Sequence, residues 1–159
     1  MPSYDRRTII DAPLQDVWQF YSRASGLEDV TPDWVDLRVE SVIGSDGRLG
    51  PDVLEPGSEL SVSIRPFGLG PRQYWLSVIT ERERADGAAY FRDELEHGPF
   101  DEWVHTHSFF AHGDRTVLRD EIEYELPLGP LARFGRPFSR IGFEAMFRAR
   151  HRLTNEQLG

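Results

Sequence analysis

The chain has 159 residues, of which 39% are apolar and 12% aromatic, so we expect one domain, residues 1–159, with a substantial hydrophobic core. Its 18 basic residues, all arginine, face 27 acidic ones, and the net charge of −9 argues against nucleic acid as a partner because phosphates would be repelled. Cysteine is absent, which excludes disulfides and thiolate chemistry. No apolar run approaches the ~18–20 residues of a membrane span, and residues 1–7 lack the layout of a secretory signal, so we expect a cytoplasmic protein.

The lack of lysine has two explanations. An acidic surface without lysine suits the high-salt cytoplasm of a halophile, because carboxylates keep a protein hydrated and dispersed. A GC-rich genome favours arginine codons over lysine codons and gives the same composition. The sequence does not distinguish the two, and neither bears on activity.

The N-terminal part predicts one strand followed by helices. Residues 3–11 have the pattern of a strand, and Pro13 suits an early position of the helix that follows. Apolar side chains between residues 17 and 21 recur at helical spacing, which predicts a helix that ends at residue 22 or 23. A short second helical turn is expected over residues 26–30.

Beyond residue 35 the apolar period changes to about two, which predicts strands. Segments rich in glycine, proline and aspartate separate these strands as turns. The six predicted strands cover residues 36–43, 58–66, 72–84, 88–95, 101–111 and 116–126.

A second long helical pattern begins near Pro130 and continues to Leu153. Pro137 lies inside it, so we expect a short leading piece, a kink and then the main helix. The order of elements, with short turns between the strands, predicts an α+β fold. In this fold a curved antiparallel sheet of about seven strands wraps around the long C-terminal helix. The sheet covers the helix only partly and leaves an internal hollow.

Several short phrases spread over nearly the whole chain are distinctive. They are Ile10-Asp11-Ala12-Pro13 with Val17-Trp18, Phe91-Arg92-Asp93, Gly98-Pro99-Phe100 with Trp103, His105, His107 and Phe109, and Met146-Phe147-Arg148-Ala149-Arg150. Together they resemble the START-like, or SRPBCC, superfamily, which includes plant pollen allergens, polyketide cyclases and coenzyme-Q-binding proteins. The resemblance implies the helix-grip fold around an apolar ligand cavity. It implies no single activity, because binders, cyclases and lyases share this scaffold.

The pattern of residues 101–126 predicts a hairpin and its register. If Gly113-Asp114 forms a two-residue turn, the residues on either side pair in a fixed order. All predicted pairs then fall on the mostly apolar face of the hairpin, so turn and hydrophobic pattern agree. The predicted pairs are Phe109 with Leu118, His107 with Asp120, His105 with Ile122 and Trp103 with Tyr124.

The pair of His107 and Asp120 has two interpretations. In the catalytic one, Asp120 orients His107, which serves as general base or as hydrogen-bond donor to a ligand. In the structural one, the two groups simply satisfy each other in a half-buried sheet.

A metal site at His105 and His107 is a further interpretation, since histidines at alternate strand positions point the same way. Asp93 would supply a third ligand if it faces inward, but the connection over residues 96–100 leaves the register of its strand open. We therefore expect no metal and no cofactor.

The aromatic residues on inward positions predict a mostly apolar pocket between the sheet and the C-terminal helix. The residues expected to bind a ligand there are Asp93, Trp103, His105, His107, Phe109, Tyr124, Phe138 and Phe147. We expect Arg148, Arg150 and Arg152 to pair with surface carboxylates.

The leading functional hypothesis is the binding of an apolar small molecule, such as a lipid, an isoprenoid or a polyketide. Two alternatives remain open at this point. The first is a cofactor-free cyclase, dehydratase or isomerase that uses His107 with Asp120. The second is a stress or regulatory protein whose ligand controls association with a partner. We expect a monomer or a weak homodimer.

Overall fold

Seven strands form the sheet in the computed structural model, which describes the whole backbone and all side chains except those of residues 132, 133 and 136. Each strand lies within one or two residues of its predicted position. In chain order they are β1 (Ser3–Ile10), β2 (Arg38–Ile43), β3 (Glu59–Ile64), β4 (Gln73–Ala85), β5 (Ala88–His97), β6 (Glu102–His112) and β7 (Arg115–Glu125). The spatial order is β1-β7-β6-β5-β4-β3-β2, and every neighbouring pair is antiparallel. The predicted α+β class and the seven-stranded antiparallel sheet are confirmed.

The β6–β7 hairpin has the register that the sequence predicts. His112 pairs with Arg115 across a two-residue turn, and Gly113 in that turn has a φ of +64°, which a residue without a Cβ adopts without strain. His107 consequently lies opposite Asp120. Buried and partly exposed residues alternate along both strands, so the face that carries the histidines points inward.

The β5–β6 pair supplies the register that the sequence left open. Asp93 lies opposite His105, and Phe91 lies opposite His107. Asp93 therefore faces inward beside both histidines.

Three helices pack on the concave side of the sheet: α1 (Leu14–Tyr21), α2 (Ala24–Val30) and α3 (Ala132–Leu158), with single 3₁₀ turns at Asp33–Val35, Pro66–Gly68 and Gly129–Leu131. Among the described residues, no helix is both long and apolar enough to cross a membrane. Two core clusters result. One joins α1 to the middle of the sheet and includes Trp18, Tyr21 and Phe109. The other joins α3 to the sheet and includes Phe143 and Phe147.

The last helix, α3, includes Pro137, and a 3₁₀ turn at Gly129–Leu131 precedes it. The kink expected at Pro137 stays a prediction. A proline inside a helix removes one backbone hydrogen bond. In α3 that loss falls in the part of the helix where Phe138 and Ile141 are exposed to solvent.

Phe147 and Phe138 provide a matched test of how α3 is oriented. Phe147→Ala should lower the free energy of unfolding by about 3–5 kcal/mol, because it removes a fully buried ring. Phe138→Ala should change it by less than about 0.5 kcal/mol, because that side chain is 77% exposed. Urea denaturation followed by circular dichroism measures both values. Equal losses in the two variants would contradict the observed orientation.

Candidate functional site

A cavity of about 480 Å³ lies between the two core clusters, bounded by the sheet, by α2 and by the inner face of α3. Its wall is mostly apolar and aromatic. The apolar residues include Leu27, Val30, Trp34, Leu60, Val62, Ile64, Trp75, Phe91, Phe100, Trp103, Phe143 and Phe147. Ionisable groups interrupt this wall at Tyr21, Arg23, Asp93, His105, His107 and Arg150.

Asp120 lies behind the two histidines and is fully buried. Its Oδ1 accepts a hydrogen bond from His105 Nε2 at 2.8 Å, and its Oδ2 accepts one from His151 Nε2 at 2.5 Å. His107 Nδ1 is 3.1 Å from Oδ1, but the angle does not meet that of a hydrogen bond. One carboxylate thus contacts three imidazoles, two from β6 and one from α3.

Asp93 contacts His107 at the ring nitrogen that faces away from Asp120. Its Oδ2 lies 2.9 Å from His107 Nε2, and its Oδ1 accepts a hydrogen bond from the Ser77 hydroxyl at 3.0 Å. The ring of Phe91 stacks on His107 with 4.1 Å between the ring centroids. The orientation of His107 is therefore fixed by a carboxylate and an aromatic face.

The electrostatics of this cluster shift the pKa values of its two β6 histidines in opposite directions. Burial alone would lower the pKa of His107, but the carboxylates of Asp120 and Asp93 beside its ring together raise it. Burial and the neighbouring His107 lower the pKa of His105. Burial opposes ionisation of Asp120, yet hydrogen bonds from the histidines hold the pKa of that carboxyl well below its usual range.

The structure places five of the predicted ligand-binding residues on the cavity wall: Asp93, Trp103, His105, His107 and Phe147. Asp120 lies beside them as predicted, but behind the histidines. The predicted cavity-lining role is wrong for the other three.

Phe109 and Tyr124 are packed into the core. Phe109 is enclosed by the rings of Trp18 and Tyr21 from α1. Tyr124 lies with its ring centroid 5.0 Å from that of Phe143. Both side chains face inward as expected, but helices cover them.

Phe138 is exposed because of the helical period. Nine residues separate it from Phe147, which is two and a half turns at 3.6 residues per turn. The two rings therefore point to opposite sides of α3, and only Phe147 faces the cavity.

Two site residues were missed by the sequence analysis. His151 follows Phe147 by four residues, so the helical period places both on the inner face. Arg150 was expected to pair with a surface carboxylate, and this is wrong: its side chain lines the cavity and the residue is 6% exposed. The expectation is confirmed for Arg148 and Arg152, which pair with Glu144 and Glu156.

Asp93, His105 and His107 are also the residues that could hold a metal ion. Each offers one ligand atom, and these atoms lie within 4.8 Å of one another. A carboxylate with two imidazoles is a donor set that zinc accepts. Hydrogen bonds within the cluster satisfy His105 Nε2, His107 Nε2 and both oxygens of Asp93, whereas His107 Nδ1 is buried without a hydrogen-bond partner among the described residues.

The family model for polyketide cyclase / dehydrase and lipid transport proteins matches residues 10–149. The chain belongs to this family. The match extends from the last residue of β1 to residue 149 in α3, and it confirms the START-like resemblance. At the sequence level, no curated protein matches the chain.

Several solved structures share the fold along nearly the whole chain. Norcoclaurine synthase from Thalictrum flavum, in complex with dopamine and hydroxybenzaldehyde, is 20% identical, with a TM-score of 0.65 over 98% of this chain and 87% of that one. The protein TTHA0849 from Thermus thermophilus is 21% identical, with a TM-score of 0.60 over 99% and 100%. CV1439 from Chromobacterium violaceum is 9% identical, with a TM-score of 0.69 over 98% and 96%. At these identities the similarity shows the fold alone.

Asp120→Asn tests the role of the buried carboxylate. Loss of the charge should lower the free energy of unfolding at pH 7 by about 3–5 kcal/mol, because the imidazoles lose their common partner. The folded-state pKa of Asp120 is lowered, so its stabilising effect is complete above the unfolded value of ~4 and is lost as the pH falls further.

The difference in stability between wild type and Asp120→Asn should therefore narrow below about pH 4. Urea denaturation of both proteins over a pH series measures this difference. A difference that stays constant down to the acid transition would contradict an ionised Asp120 in the fold.

Proposed function

We propose that the protein binds an apolar small molecule with one polar group inside the cavity. The observation that carries this proposal is the composition of the wall: aromatic and aliphatic side chains around a volume of about 480 Å³, interrupted by a few ionisable groups. Ligand cavities commonly measure ~300–1,000 Å³ and combine an apolar wall with a few polar groups. Membership of a family of cyclases, dehydrases and lipid transport proteins supports the same interpretation.

The polar groups on the wall indicate what the ligand carries. The ring nitrogens of His107 face Asp93 at 2.9 Å and Asp120 at 3.1 Å. Trp75 Nε1 is shielded from solvent and has no hydrogen-bond partner in the part of the chain that the structure describes. A buried donor without a partner costs ~1–3 kcal/mol. The indole N–H of Trp75 therefore favours a ligand with a hydrogen-bond acceptor, such as a carbonyl, hydroxyl or carboxylate oxygen.

Gly142 provides a way to fill the cavity without disturbing the fold. It lies on the cavity wall in α3, and a Cβ at this position would meet no atom within 4 Å. Gly142→Leu should weaken binding of N-phenyl-1-naphthylamine, a neutral apolar fluorescent probe, by roughly tenfold or more, since the loss of about 1.4 kcal/mol corresponds to a factor of ten. Fluorescence titration measures the affinity.

Gly142→Ala is the matched control for this variant. It should leave probe affinity nearly unchanged and should raise the free energy of unfolding by about 0.5–1 kcal/mol, because glycine is a poor helix former. Gly142→Leu should also be at least as stable as the wild type. Undiminished binding by a stably folded Gly142→Leu protein would place the probe outside the cavity and would contradict the proposal.

One observation favours an enzyme as the second candidate. The imidazole of His107 borders the cavity and is 2.9 Å from a carboxylate, which is the arrangement of a general acid–base pair. A cofactor-free cyclase, dehydratase or isomerase would use this pair to move a proton on the bound molecule. Binding alone requires no such proton transfer.

His107→Gln distinguishes the two candidates, because glutamine keeps a hydrogen-bonding side chain but does not titrate. If the protein only binds, affinity for the co-purifying molecule identified by native mass spectrometry should fall severalfold, equivalent to ~0.5–1.5 kcal/mol. If His107 transfers a proton, binding should persist and turnover should fall about a hundredfold or more. Parallel binding and product assays measure the two effects, and we expect the binding outcome.

A further inference from the structure

Arg150 is a buried cation on the cavity wall without an anionic partner. The residue is 6% exposed. Among the described side chains, no carboxylate oxygen lies within 4.0 Å of its guanidinium, and its Nε makes no hydrogen bond. Its contact is with an aromatic face: the guanidinium carbon lies 5.0 Å from the centroid of the Phe147 ring.

Other arginines of the chain behave differently. Arg6 and Arg148 both pair with Glu144, at 2.7 and 3.0 Å. Arg119 contacts Asp5 at 2.6 Å. These pairs are at least partly exposed to solvent, where water stabilises a cation and an ion pair adds little stability. Arg150, which is the most deeply buried of the four, lacks one.

A guanidinium removed from water requires compensation by charge and hydrogen bonds. The Phe147 ring compensates the charge in part, but it offers no acceptor for the N–H groups. Asp93 and Asp120 are engaged by the imidazoles of β6 and by His151. Because Arg150 lines the cavity, a ligand bound there can supply the missing anion.

We propose that Arg150 binds a carboxylate on the ligand, so that the cavity takes an apolar molecule with an anionic end. A guanidinium presents its N–H donors as a planar fork that matches a carboxylate with two parallel hydrogen bonds. The aromatic wall of the cavity then holds the apolar body. This inference rests on the proposed function and adds the chemical class of the ligand.

Competition binding with the wild-type protein tests this inference. Dodecanoate and dodecan-1-ol have the same chain length and differ in charge, and each is titrated to displace bound N-phenyl-1-naphthylamine. Hydrogen bonds to charged groups are stronger than neutral ones, so dodecanoate should bind roughly tenfold to a hundredfold more tightly than the alcohol. Equal affinities would overturn the inference. This comparison does not depend on whether any variant folds.

Arg150→Gln should abolish the preference for dodecanoate and leave the affinity for dodecan-1-ol and the neutral probe within about threefold, because glutamine keeps hydrogen-bond donors without the charge. Arg148→Gln is the matched control: it lies two residues away on the same helix, is 71% exposed and pairs with Glu144. It should keep the wild-type preference. A preference that survives in Arg150→Gln would assign the anion to another group and overturn the inference.

The outcomes separate this inference from the function on which it rests. Binding of the neutral probe and the alcohol without a preference for dodecanoate would overturn only the role of Arg150. Failure of the wild-type protein to bind the neutral probe, dodecanoate and dodecan-1-ol would overturn the proposed function, and this inference with it.

Discussion

The fold and the site both depend on the buried carboxylate of Asp120. It accepts hydrogen bonds from His105 on β6 and from His151 on α3, so a single side chain of β7 ties a neighbouring strand to the helix that crosses the sheet. A buried carboxylate is stable only when its oxygens are satisfied. The hydrogen bond from His151 to Asp120 therefore fixes the rotation of the C-terminal half of α3 about its axis. Arg150, which precedes His151 in the chain, then lies beside the cavity.

Hydrogen bonds anchor the end of α3 to α1 and β1. Thr154 contacts the Tyr21 hydroxyl at 2.7 Å, and Asn155 hydrogen bonds to the backbone of β1. Towards its start the helix presents exposed apolar residues such as Phe138 and Ile141. The sheet curves around a helix that it does not touch along its whole length, and the space left between them is lined by aromatic side chains instead of being filled by them.

The cluster of aspartate and histidine side chains around Asp120 differs from a purely structural network because one side of it borders the cavity. Asp93 and His107 form part of the cavity wall, whereas a purely structural pair would be enclosed by the core. The same geometry serves recognition or proton transfer, because both use an imidazole whose orientation is fixed. The family unites cyclases, dehydrases and lipid transport proteins, and such a site requires little change to move from one role to the other.

The sequence by itself determined the strands, the helices and the pairing of His107 with Asp120, because these follow from local periods and from a two-residue turn. It could not place Asp93, since a longer connection between β5 and β6 leaves the register free. It also missed the inward rotation of Arg150 and His151 and the outward rotation of Phe138. A helical period fixes which residues share a face, but only packing against the sheet decides which face turns inward. The candidate site was therefore decided by tertiary structure, through contacts between segments far apart in the chain.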